Sequence, residues 1–186
     1  DTANARLVAA DLLAQLEHGS GHERVWLVTT SLNLIRSVQK QLARQIPSLS
    51  RREYIKRALE NAWLIQVRGI QDGVDLANRL APEHCEVGTR HPRKVSEGIR
   101  TAGAILLGKC SPTVLGDYVA GPSHTLPTGG AGASFPGLTV DQFQRRTSVV
   151  EYSAPALKKA LRAVRTFATV EGLTAHGRSL PRRLLR

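Results

Sequence analysis

An acid and an imidazole stand side by side in the stretch LAPEHCEV, where Glu83 and His84 follow Pro82. A residue before proline is pushed out of helical geometry, so Ala81 ends the preceding helix and the pair falls at a helix-to-strand corner. Such a corner can aim polar side chains into a cleft, or it can be a plain surface turn. In a cleft, an imidazole that titrates near neutrality can exchange a proton with substrate, and the neighbouring carboxylate can do the same for water. Gln15 and His18 lie three apart at the end of a predicted helix, which puts both on one face. With Asp117 and His176 they offer two imidazoles, a carboxylate and an amide oxygen, a donor set that suits Zn²⁺. One formal negative charge among four donors would leave a bound Zn²⁺ net positive, as suits a metal that grips a substrate. The irregular spacing does not by itself identify a site, and a solvated helix end remains the alternative for Gln15 and His18. His22 and His91 read as surface residues. Cys85 cannot meet His84 along a strand, because neighbouring side chains there point to opposite faces. Its place is an apolar core position. PTGGAGASFPG lacks the strand–GxGxxG–helix context of a nucleotide loop.

These residues must be positioned by the elements around them. Asp1 or Thr2 is predicted to cap a helix running to residue 18, and Gly19 to end it. VWLVTT (25–30) reads as a buried strand, Ser31 caps a helix over 32–46, and Ser50 caps a shorter one over 51–62. WLIQV (63–67) is a second strand, 70–80 a helix, 85–87 a short strand, 91–102 a helix and 104–108 a strand. Near-continuous apolar strands alternating with helices imply a mainly parallel sheet with helices on both faces. The pattern stops at Gly108. Residues 109–136 are rich in Gly, Pro and Ser and carry Asp117, Tyr118 and His124, and a loop of this length is expected to be functional. One further helix is predicted from residue 154 to about 171, then a basic tail. A boundary near Ser148 divides an α/β domain (1–148) from a helical tail (149–186).

Composition bounds the function classes. The 186 residues suffice for one domain with a small appendage, and no apolar run is long enough to cross a membrane. Two cysteines form no disulfide framework and read as reduced thiols of a cytoplasmic protein. The chain contains no methionine, so it is expected to be a piece of a longer product. Its formal net charge of +11 raises nucleic-acid binding, through Arg182, Arg183 and Arg186 of the tail above all. The basic residues are otherwise dispersed and aromatic residues few, which favours a solvated basic surface.

ADLLAQLEHG, LAPEHCEV, AGAILLG, SPTVLGDYVAGPSHTLPT, GLTVDQFQRRTSV and EGLTAHGRS together resemble the successive signature blocks of histidinol dehydrogenase. They keep the family's order and spacing over almost the whole chain, and match roughly the C-terminal half of the family's sequence. The resemblance implies a zinc-containing, NAD-dependent homodimer that oxidises L-histidinol to the aldehyde and then to L-histidine, using two NAD⁺. By match to its blocks, Gln15, His18 and Asp117 would be zinc ligands. His176, delivered by the partner subunit, would be the fourth. Glu83 and His84 would be the catalytic acid–base pair, with His84 also touching substrate and Glu83 activating water in the second step. Glu171, likewise reaching the partner's site, would contact the substrate, the zinc ligands would face it too, and Tyr118 and His124 would line the pocket. Most NAD-binding residues, a companion α/β domain and a substrate-proximal serine would lie in the half that is absent. The implied fold is an incomplete Rossmann-like sheet with flanking helices plus a helical dimerisation tail. On this reading the chain alone is inactive for want of its NAD site. A non-catalytic dimerisation or scaffold module is the alternative.

Overall fold

The structure, a computed structural model, describes residues 2–184. Asp1, one of the two expected helix caps, and Arg186 of the basic tail lie outside the described residues. Two compact units divide the chain, Asp1–Phe143 and Gln144–Arg186, against a boundary expected near Ser148.

The first unit opens with α1, Ala5–Leu16. Thr2 does not cap it. The Asn4 side chain does, accepting from the Arg6 N–H at 2.9 Å, so the helix starts later than predicted. Ala9, Leu13 and Leu16 recur at helical spacing and are buried. Strand β1, Val25–Thr29, runs parallel to β2, Ala62–Gln66, in register from Val25↔Ala62 to Thr29↔Gln66. Trp26 and Trp63 stack across this pair with ring centroids 5.9 Å apart. Between the strands lies α2, Leu32–Gln45, with Ser31 as its cap as expected. A shorter helix follows, α3, Arg52–Ala58. Its cap position is Arg51, not Ser50, and makes no side-chain cap bond. Two apolar clusters hold this part together. One joins Ala9, Leu34 and Val38, and the other Leu13, Leu16, Val25, Ile55 and Ala58.

α4 spans Ile70–Leu80, as predicted. Ala81 leaves the helix, but into the left-handed region (φ 45°) rather than an extended one, and is the one described non-glycine residue with positive φ. Its N–H still closes on the Ala77 carbonyl at 2.9 Å. Strand β3, His84–Val87, pairs in parallel with β4, Ala104–Leu107. Between them α5, Pro92–Ser96, is much shorter than the predicted 91–102. The Asn78 side chain explains the difference. It donates to the Gly98 carbonyl and accepts from the Arg100 N–H, both at 2.8 Å, which takes those backbone groups out of any helix. Ile99 is thereby turned into a cluster with Val74 and Val87.

The architecture is α/β with parallel strand pairs joined by helical crossovers, but the four strands form two separate ladders, β1–β2 and β3–β4, rather than one continuous sheet. The stretch expected to be loop contains a short helix, α6, Thr113–Tyr118. In the second unit Ser153 caps α7, Ala154–Val170, and α8, Thr174–Arg182, occupies what reads in sequence as a basic tail. The two helices approach closely enough that a Cβ on Gly177 would stand 3.3 Å from the Ala168 methyl.

Candidate functional site

The PEH corner is built by backbone. The Pro82 carbonyl accepts from the Gly103 N–H at 3.0 Å, and the Glu83 carbonyl from the Ala104 N–H at 2.8 Å. These bonds extend the β3–β4 ladder back beyond its first strand residue and fix the Glu83 backbone. A Cβ on Gly103 would sit 2.8 Å from the Glu83 carbonyl oxygen, so this close approach admits only glycine.

His84 opens β3 with its side chain only 11% exposed, and its Nε2 lies 3.2 Å from Oδ1 of Asp117. The contact is short enough for an ion pair but poorly directed for a hydrogen bond, so the buried Nε2 has no hydrogen-bond partner among the described residues. A buried imidazole nitrogen left unpaired beside a carboxylate calls for a third group. Alternation along β3 sends Cys85 the other way, against the cluster of Val74, Val87 and Ile99. Burial, and then the Glu86 charge, push its thiol up to about 11. At neutral pH it stays protonated, which excludes a thiolate–imidazole pair.

Asp117 belongs to α6, one turn after the buried Thr113. Glu86 Oε1 accepts from both the N–H and the hydroxyl of Thr113, each at 2.7 Å, which moors α6 to β3. Tyr118, next in chain, is 83% exposed, and His124 is exposed on the loop beyond.

Gln15 and His18 mark the end of α1. His18 Nδ1 lies 2.8 Å from the Gln15 carbonyl. A carbonyl only accepts, so Nδ1 carries the proton and the Nε2 lone pair is left available, the usual preparation of a metal-binding histidine. Arg51 holds the same helix end. Its guanidinium donates to the Glu17 and His18 carbonyls at 2.7 and 3.0 Å and rests 4.6 Å over the Tyr54 ring. Gly19, at φ 90°, lets this happen, since a Cβ there would stand 2.6 Å from the Arg51 Nη2.

The fold therefore joins His84 to Asp117 and Gln15 to His18. Among the described residues no three of His, Cys, Asp or Glu lie close enough to share a metal. Glu171, at the C-cap of α7, and His176, on α8, are exposed residues of the second unit. His22 and His91 are exposed, as expected. The sequence reading passed over Asp11, Glu86 and Arg51. The signal for the first two was periodicity, since Asp11 is one helical turn before Gln15 and Glu86 one strand period after His84.

Burial first, and then the facing Glu86 carboxylate, raise Asp11 from 3.8 to about 7. The folded chain then holds a proton that the unfolded chain releases between about pH 4 and 7, so this group makes stability fall as pH rises through that window. Asp11→Asn is expected to remove that fall. It should unfold at higher denaturant than the parent near pH 8, with the gap closing near pH 4. Identical pH slopes for the two proteins would show that Asp11 and Glu86 are not in contact.

A family model described as histidinol dehydrogenase matches residues 1–184. A histidinol dehydrogenase of Thermobifida fusca (strain YX) is 44% identical over 188 aligned residues, covering 100% of this chain and 43% of the relative. One from Geobacillus kaustophilus (strain HTA426) is 42% identical over 185 residues, 99% of this chain and 43% of the relative. The crystal structure of histidinol dehydrogenase from Elizabethkingia anophelis superposes with a TM-score of 0.93 at 31% identity, over 98% of this chain and 42% of that one. The chain thus spans a little over two fifths of the length of the relatives it matches. Among the described residues no helix is long and apolar enough to cross a membrane. With the family's blocks running from end to end and the matching fold beneath them, the chain belongs to the histidinol dehydrogenase family.

Proposed function

We propose that this chain is the zinc- and substrate-holding portion of a histidinol dehydrogenase, a cytoplasmic homodimeric enzyme of histidine biosynthesis. The observation that carries the reading is the buried, unpaired Nε2 of His84 beside Asp117. A proton-accepting nitrogen sheltered from water and turned toward an acidic ligand is what an alcohol oxidation needs.

The residues fit a zinc ion. His18 would present its Nε2 with its other nitrogen fixed, Gln15 would add an amide oxygen from the same end of α1, and Asp117 would add the single carboxylate. His176 completes the set from a second copy of the chain. Held by these residues, the ion would supply a Lewis-acidic anchor that orients L-histidinol. His84 then takes the proton from the alcohol as the first hydride leaves carbon. In the second half-reaction Glu83 deprotonates the water that adds to the aldehyde, and the second hydride leaves to give the carboxylate. Two bases on one pinned corner serve two oxidations in turn. Tyr118 and His124 would border the substrate, and Glu171 from the second copy of the chain would contact it. NAD⁺ would supply the hydride acceptor for both oxidations.

The test is metal content, mass in solution and turnover of the purified 186-residue chain. The expected result is a dimer with stoichiometric zinc that makes no NADH from histidinol and NAD⁺. A zinc-free monomer would instead favour the non-catalytic scaffold module. NADH production free of host enzyme would show that the cofactor site is complete here.

A further inference from the structure

Gln15, His84 and Asp117 belong to α1, β3 and α6, and one side chain, Glu86, bonds the last two elements together. Glu86 Oε1 accepts both hydrogen bonds from Thr113 at 2.7 Å, and its carboxyl faces that of Asp11. Each member of this network stands one structural period from a site residue. Asp11 is four residues before Gln15 on α1, Glu86 two after His84 on β3, and Thr113 four before Asp117 on α6. On a helix, residues four apart share a face, and on a strand so do residues two apart. Asp11, Glu86 and Thr113 therefore each share a face of their own element with Gln15, His84 and Asp117 respectively.

α6 depends on this tether. It has only six residues, contains Gly116, and makes no side-chain cap bond at its start. Helices this short are marginal without tertiary support. Thr113 is 4% exposed, so water is a poor substitute partner for its hydroxyl.

We infer that Glu86 is a positioning residue of the site, one that through Thr113 sets the placement of Asp117 on α6 against His84 on β3. It touches no reacting atom and acts through the elements it joins. The consequence for zinc rests on the function proposed above, whereas the mooring of α6 does not.

The test compares Glu86→Ala, Glu86→Gln, Thr113→Val and, as a control, Asn78→Ala. Asn78 pins the 98–100 loop and so serves stability away from this network. Two readouts are taken on the 186-residue chain: amide hydrogen exchange over residues 113–119 without metal, and Zn²⁺ affinity by chelator competition. Glu86→Ala is expected to speed exchange in α6 and weaken Zn²⁺ binding about 10–100-fold, the usual effect of losing an outer-shell partner. Glu86→Gln keeps an acceptor oxygen for Thr113 and should restore most of both. Thr113→Val, which loses the hydroxyl but keeps the N–H, should fall between, and it carries the test if Glu86→Ala does not fold. Asn78→Ala should lower overall stability and leave both readouts unchanged. Parental exchange in α6 for Glu86→Ala or Thr113→Val would overturn the inference, as would an equal loss of Zn²⁺ affinity in Asn78→Ala. If the parent binds no Zn²⁺ but α6 still loosens without Glu86, the zinc reading fails and the positioning role stands.

Discussion

Asp117→Ala is expected to weaken Zn²⁺ binding by more than the roughly 10–100-fold typical of an outer-shell change, because on the proposed function it would remove a ligand rather than a support. In the set Gln15, His18, Asp117 and His176, Asp117 supplies the only formal negative charge, and no neighbour in that set can replace it. Its Oδ1 also lies 3.2 Å from the buried Nε2 of His84, so the same substitution strips the imidazole of its nearest charge. Asp117→Asn keeps the shape and one oxygen while losing the charge, and should fall between the parent and the alanine variant. The fold should tolerate both changes. Asp117 keeps a quarter of its side chain exposed, and α6 is held at its other end through Thr113. Chelator competition at neutral pH measures the affinities, with thermal unfolding of the metal-free proteins as the control. Parental affinity in Asp117→Ala would remove this residue from any metal site.

How much of this was legible in sequence differs by element. Apolar runs gave each strand within a residue or two because that signature is local, even though Trp63 and Ile105 stay more than a third exposed. Pro82 gave the end of α4, because the constraint it imposes acts on the adjacent residue. What went astray was decided at long range. α5 stops early because Asn78, some twenty residues upstream, claims the Gly98 and Arg100 backbone groups. α6 exists despite Pro112 and Gly116 because Glu86 reaches it from another strand. Gly177 and Pro181 mask α8 from any propensity reading, yet Gly177 is what allows α8 to approach α7. Apolar runs also cannot say which strands are neighbours, and the two ladders are a fact of pairing rather than of pattern.

The site was legible as residue types more than as contacts. Glu83 and His84 stood out because they adjoin a proline, and Gln15 with His18 because of helical spacing. The approach of His84 to Asp117 spans 33 residues and no periodicity announces it. Arg51 carries no motif at all. Its role at the end of α1 comes from a guanidinium crossing to two carbonyls that the helix leaves unpaired.

Leu16→Ala should be the most damaging single change to the first unit, at a cost of ~2–5 kcal/mol. Leu16 is fully buried, last in α1, and packs with Leu13, Val25, Ile55 and Ala58. Truncation leaves a cavity among helix, strand and α3, elements that can close on it only by moving the ladder. Against a total stability of about 5–15 kcal/mol for an ordinary domain, that is a large share. Leu7→Ala on the same helix provides the comparison. Leu7 is 43% exposed, and alanine is the better helix former, so its cost should stay within about 0.5 kcal/mol. Urea unfolding followed by tryptophan fluorescence reads the right region, since both tryptophans of the chain, Trp26 and Trp63, stack on the adjoining β1–β2 ladder. An unchanged slope with a lower midpoint would mark a loss of stability rather than of compactness. The damage should also reach the site. Leu16 sits between Gln15 and His18, and its packing holds the last turn of α1 at the angle from which Arg51 grips the Glu17 and His18 carbonyls. Equal costs for Leu16→Ala and Leu7→Ala would mean that the end of α1 is not anchored by this core, and that Arg51 alone sets the orientation of His18.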